Sequence, residues 1–198
     1  SNVVCQGTQY GINIKSKRGR GGGIENVRID NVTMQNVGIA ISVSEYFQMQ
    51  GEKHIPEEPV SARTPVFRNL AISHVTIDGA RGWPDFSWNP DTMADPRRER
   101  PTTIEIAGLP ERPIDGLRIS DVVASGAGGL RASNANALQL TNIEMNAERG
   151  PAFLLLDSND LNLDGVASRM PAAGAPVIRL DACPGVVVRN SRAYAGTG

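Results

Sequence analysis

The chain repeats one short pattern of hydrophobic and polar positions. Its clearest copies are residues 26–34 and 69–77, where Val27/Ile29 and Leu70/Ile72 alternate with polar residues. A polar residue, Asn31 or His74, then interrupts each run, and a further alternating pair follows, Val32/Met34 and Val75/Ile77. The frame returns at residues 116–124, 137–145, 160–168 and 185–193, and residues 1–5 fit its last five positions. The interrupting residues are Asn2, Asn31, His74, Asp121, Asn142, Gly165 and Asn190. Asn, Asp, His and Gly tolerate the left-handed backbone conformation, so each is expected to bend the chain between two short strands.

About ten residues after most of these corners comes a second alternating pair. The pairs are Ile12/Ile14, Ile41/Val43, Ile104/Ile106, Leu130/Ala132, Leu154/Leu156 and Ile178/Leu180. No segment carries a long apolar stripe at helical spacing behind a cap. Corner-to-corner spacings are 29, 43, 47, 21, 23 and 25 residues. Coils of roughly 20 to 25 residues built from several short strands predict an all-β fold. The expected form is a right-handed parallel β-helix, a single-stranded solenoid of about seven coils. The two long spacings place Pro-, Gly- and charge-rich loop insertions at about 46–65 and 81–101. Both ends fall inside a repeat. One β-helix segment over residues 1–198, incomplete at both ends, is therefore expected, completed by an N-terminal half or a second chain.

Composition narrows the class. The 198 residues carry a net charge of -1, so no overall field favours nucleic acid or an anionic membrane. No apolar run approaches the roughly 20 residues of a membrane span. Two cysteines build neither a disulfide framework nor a four-thiolate metal site, and no His/Cys/Asp cluster has metal-ligand spacing. No metal and no cofactor are expected.

The outward positions of the second strand give a column of Asn13, Ser42, Glu105 and Arg131, with Lys15 and Ser44 beside it. Lys15, Lys17, Arg18 and Arg20 would make one rim basic, and the insertions would flank the column. Such a groove suits an extended acidic polymer; an ordinary solvated face with surface loops is the plainer alternative.

At residues 11–16, Gly-Ile-Asn-Ile-Lys-Ser, followed by Gly19, Arg20, Gly21 and Gly22, the chain resembles the pectin-degrading polygalacturonases, glycoside hydrolase family 28. That family carries an Arg-hydrophobic-Lys motif on an outward strand, often followed in bacterial members by a Gly-Arg-Gly-Gly turn. Residues 64–70 and 106–114 look like later coils of bacterial members, and the resemblance extends over residues 2–197. It implies that Lys15 binds a galacturonate carboxylate. Asn13 stands where the family has arginine, which loses bidentate recognition. The family's tyrosine falls at Tyr46 or Phe47, and only Tyr46 retains a hydroxyl. The family's Asn-Thr-Asp, Asp-Asp and Gly-His-Gly motifs, which supply inverting two-carboxylate chemistry, do not occur in this sequence. The resemblance thus implies the C-terminal portion of such a hydrolase, contacting acidic pectin-like polysaccharide through Lys15, Asn13 and Tyr46, with no catalytic residue in this stretch. It also implies a secreted or periplasmic protein.

Two rival readings share the architecture. One is a non-catalytic β-helix that binds polysaccharide or mediates assembly. The other is a polysaccharide lyase, for which no acidic calcium cluster is visible. Residues 17–23 resemble an Arg-Gly box only superficially, so no nucleic-acid partner and no membrane partner are expected. His74 is expected to be a structural corner, and Cys5 a small hydrophobe in the column of Met34, Ile77, Ala124 and Met145. Asn31-Val32-Thr33 forms a glycosylation sequon, with Asn31 expected on the buried side. Trp83, Phe86 and Trp88 either stack on sugar or pack their loop onto the body. The role of Cys183 is not readable.

Overall fold

The computed structural model describes residues 2–47, 56–82 and 102–194. The Trp83, Phe86 and Trp88 expectation and His54 lie outside them. The described residues form no helix; they form parallel strands in two sheets. The larger sheet runs, neighbour to neighbour, through β1 (Val3–Gln6), β3 (Gly23–Gln35), β5 (Val66–Ala80), β8 (Arg118–Gly126), β11 (Gln139–Ala147), β13 (Asn162–Ser168) and β15 (Val187–Arg189). The smaller sheet contains β2 (Tyr10–Lys15), β4 (Ile39–Ser44), β6 (Ile104–Ala107), β9 (Leu130–Ser133), β12 (Phe153–Leu156) and β14 (Ile178–Asp181). Three two-residue strands, β7 (Ile114–Asp115), β10 (Ala135–Asn136) and β16 (Arg192–Ala193), join the larger sheet. The chain passes from one sheet to the other and back, so each strand pairs with its counterpart in the next repeat.

Register follows the repeat. In the larger sheet Val32 lies beside Val75, which lies beside Val122, and Ile29 beside Ile72 beside Ile119. Cys5 neighbours Met34, Met34 neighbours Ile77, Ile77 neighbours Ala124, and Ala124 neighbours Met145. That is the column expected for Cys5. Residues of both sheets, among them Ile41, Val43, Ile72 and Ile119, belong to one buried hydrophobic cluster. Parallel sheets need such a covered inner face, and burying each Val, Ile or Leu contributes about 1.5–3 kcal/mol.

The corner residues behave as their types require. Asn31, His74, Asp121, Asn142, Gly165 and Asn190 all have φ between 51° and 69°. The strand runs through each of the first five rather than stopping, so the corner is a bend inside one strand. A second left-handed column stands five residues earlier, at Asn26, Asn69, Gly116, Ala137, Asp160 and Gly185. The side chains bond from repeat to repeat: Asn31 Nδ2 donates to Asn2 Oδ1 at 2.8 Å, Asn69 Nδ2 to Asn26 Oδ1 at 2.5 Å, and Asn142 Nδ2 to Asp121 Oδ1 at 2.8 Å. His74 lies in the same ladder. Its Nδ1 is 2.7 Å from Asp30 Oδ1, and hydrogen bonding to Asp30 raises its pKa. Asn31 is exposed, not on the buried side, because the bend turns its side chain outward onto the ladder.

One inward pair is displaced by a residue. Phe153 pairs with Leu130 and Ile178, and Leu155 with Ala132 and Leu180, so Phe153 and Leu155 point inward. Leu154 and Leu156, expected there, extend the outward columns. Phe153–Leu156 is apolar at all four positions, so alternation alone does not set its phase.

Ala137 bears a Cβ in a left-handed conformation (φ 52°). Ala137→Gly is expected to leave stability unchanged or raise it by up to about 1 kcal/mol, since relieved backbone strain outweighs added chain entropy. Ala135→Gly, in a buried strand of ordinary conformation, should lower it by about 1 kcal/mol. Urea unfolding of both variants checks the ordering.

Candidate functional site at the end of the smaller sheet

The outward column exists in the expected register. Asn13 lies beside Ser42, Ser42 beside Glu105, and Glu105 beside Arg131; Lys15 lies beside Ser44 and Ser44 beside Ala107. Access along it is uneven. Asn13 and Lys15 are exposed, Glu105 is half-buried, and Ser42 and Arg131 are buried. Leu154 follows Arg131 in the column and is buried, and the exposed Arg179 of β14 follows Leu154. The polar surface of this column is therefore open at its two ends, at Asn13 and Lys15 on β2 and at Arg179 on β14.

Three chain segments are tied together there. Phe47 N donates to Ser16 O at 2.9 Å, and Lys17 and Tyr46 form an antiparallel bridge. Tyr46 N donates to Ser44 Oγ at 3.2 Å, while Glu45 N donates to Ala107 O at 2.9 Å. The third segment is the turn at Leu109 and Arg112, which leaves β6 directly. Gly108 permits this turn: a Cβ there would lie 2.1 Å from Asn134 O. Gly21 does the same for the glycine-rich stretch. It has φ 67°, donates to Arg63 O at 2.8 Å, and would set a Cβ 2.4 Å from Ala62 O.

Two positive charges stand on these segments in opposite circumstances. The Lys15 ammonium sits 3.7 Å from the centre of the Phe47 ring and stays exposed. That cation–π contact holds a flexible stem in place and leaves the charge available. Arg18, three residues after Lys15, is instead buried. Its Nε and Nη2 donate to the two carboxylate oxygens of Glu111 at 2.5 and 2.8 Å, with side chains 5% and 7% exposed. Hydrogen bonding to Glu111 raises the Arg18 pKa against the effect of burial, and Tyr46 adds a further hydrogen bond. Burial works to raise Glu111, but the bonds from Arg18 hold it below the ordinary carboxyl value. Arg18 is thus neutralised within the fold and leaves the basic rim expected from Lys15, Lys17, Arg18 and Arg20. Arg112 Nη1 donates to Thr64 O at 3.0 Å and ties in the segment before β5.

The structure brings Lys15, Asn13 and Tyr46 to one end of one sheet, with Asn13 and Lys15 two residues apart on the same outward face. Tyr46 and Phe47 divide the work left open between them. Phe47 supports Lys15, and Tyr46 supports Arg18, 5.8 Å from its ring centre. Sequence reasoning missed Glu45 and Glu111. Glu45 was detectable, because it follows Ile41 and Val43 in the inward phase of β4. Glu111 lies in a turn, where no periodicity applies. Among the described residues no group of three His, Cys, Asp or Glu side chains is placed to hold a metal ion. Comparison with protein-family models, curated proteins and solved structures finds no match to the chain.

Removing one partner of a buried ion pair strands the other charge. Arg18→Leu should cost about 3 kcal/mol of unfolding free energy. Arg68→Leu, which breaks a pair with Glu25 whose arginine is 61% exposed, should cost about 0.5 kcal/mol. Equal losses in chemical denaturation would contradict the assignment of Arg18 as the structural cation.

Proposed function

We propose that this chain is a right-handed parallel β-helix of about seven coils that supplies one bank of the substrate cleft of a polygalacturonase-like glycoside hydrolase. Its ligand in this reading is an acidic, pectin-like polysaccharide. Lys15 pairs with a sugar carboxylate, Asn13 offers an amide to the neighbouring hydroxyls, and Tyr46 lines the same end. The observation that carries the reading is the exposed Lys15 ammonium, held on Phe47 two residues along β2 from the exposed Asn13. A cation fixed before binding loses less side-chain entropy on meeting its anion.

Bond cleavage in this reading belongs to the whole hydrolase and follows the inverting, two-carboxylate course. An acid protonates the leaving oxygen while a base activates water. Glu45 and Glu111 are not suited to either role, since one is fully buried and the other is locked onto Arg18. Asn13 favours a second reading, a β-helix that binds polysaccharide without cleaving it. Asn in place of the family's arginine keeps hydrogen bonding but gives up an ion pair.

Calorimetric titration with a galacturonate oligomer and with a neutral galactose oligomer of the same length tests the binding. The acidic oligomer should bind and the neutral one should not. Lys15→Ala should weaken binding about tenfold or more, since a charge-assisted hydrogen bond contributes about 1.5–3 kcal/mol. Added salt should weaken it further. Equal binding of the two oligomers, or an unaffected Lys15→Ala variant, would defeat the reading. New reducing ends in the same mixtures separate hydrolysis from binding alone.

A further inference from the structure

Glu45 is a buried ionisable group that the functional reading leaves without a role. Its side chain is 0% exposed. Oε2 accepts a hydrogen bond from Leu109 N at 2.9 Å, and Oε1 has no hydrogen-bond partner. Charged groups from two packed segments face it. Arg18, after β2, already has two donors on Glu111. Arg112, in the turn after β6, donates to the Thr64 carbonyl, and Glu111 in the same turn is an anion. Neither cation hydrogen bonds to Glu45, so an ionised carboxylate here would keep one oxygen buried without a donor. A carboxyl group so placed is stable when it keeps its proton.

We propose that Glu45 is a proton-gated latch: neutral, it fastens the turn at 108–112 to the end of β4, and ionised, it leaves the interior and frees that turn. The turn carries Glu111, so release also loosens Arg18 and the Lys15–Phe47 end. As regulation of ligand binding the latch rests on the functional reading above; as a structural device it does not.

The direction of pH dependence follows from the environment. Burial, the largest influence, pushes the Glu45 pKa up from 4.5 to about 8. The Leu109 amide, Arg112 and Arg18 pull it down, and Glu111 pushes it further up. The folded chain therefore holds this proton more tightly than the unfolded chain does. Stability is full below the ordinary carboxyl value, declines as pH rises from there to about 8, and changes no further above it.

The test is amide hydrogen exchange at Leu109 from about pH 6 to about pH 9, in the unmodified chain and in Glu45→Gln. Gln keeps the acceptor for Leu109 and has no proton to lose. The unmodified chain should lose about tenfold or more of its protection beyond the intrinsic rise in exchange rate, and Glu45→Gln should not. Equal protection in both across the range overturns the latch. A second readout needs no variant. Difference infrared spectroscopy of the unmodified chain should show a protonated-carboxyl stretch near neutral pH that is gone by about pH 9; its absence near neutral pH also overturns the proposal. Neither readout involves a sugar, so failure of the polysaccharide reading and failure of the latch are distinguishable.

Discussion

In-register parallel stacking is the constraint on which the rest of this structure depends. A strand that pairs in parallel with its counterpart one repeat away places like positions above like positions. Whatever a position must do, it must do in every repeat. Inner columns have to be apolar and mutually compatible in volume, as Cys5, Met34, Ile77, Ala124 and Met145 are. Bends have to recur at one level, and a residue in a left-handed conformation there must be glycine or carry a short polar side chain to remain inexpensive. The Asn and Asp side chains then bond to the repeat above or below, which turns a backbone requirement into a ladder.

The same rule gives the candidate site its form. Outward positions are free of the core, so one column can change from Asn13 through Glu105 and Arg131 to Leu154 without disturbing the fold. Chemistry collects where stacking stops, at the strand ends, because turns escape the register. Lys15 and Arg18 show how local burial separates two nearby cations. One stays exposed above an aromatic ring, and the other is enclosed with a carboxylate that cancels it. Only the first can meet a ligand.

Much of the fold was legible because the repeat declares its own phase. Seven corner residues were identifiable by type and spacing, and Asn31, His74, Asp121, Asn142, Gly165 and Asn190 have positive φ. The second left-handed column could have been read as well, since Asn26, Asn69, Gly116, Asp160 and Gly185 are tolerant types at a constant offset. Ala137 is the member whose type hides it. Phe153–Leu156 misled because four consecutive apolar residues carry no phase. The site was less legible. Lys15 and Asn13 follow from alternation, but the burial of Arg18 comes from Glu111, 93 residues away in a turn. No local pattern announces a partner at that distance. Glu45 stood in an inward phase among Ile41 and Val43, and a carboxylate there is a signal in its own right.

The central claim is that the β2 end of the smaller sheet is the ligand-facing surface and that an acidic sugar polymer is its ligand. The most direct measurement is a backbone amide chemical-shift titration of the intact chain with an oligogalacturonate. The account predicts shifts concentrated at Asn13, Lys15, Tyr46 and Phe47, with the exposed corner ladder at Asn31, His74 and Asp121 unmoved. Shifts centred on that ladder, or no shifts at millimolar oligomer, would contradict it.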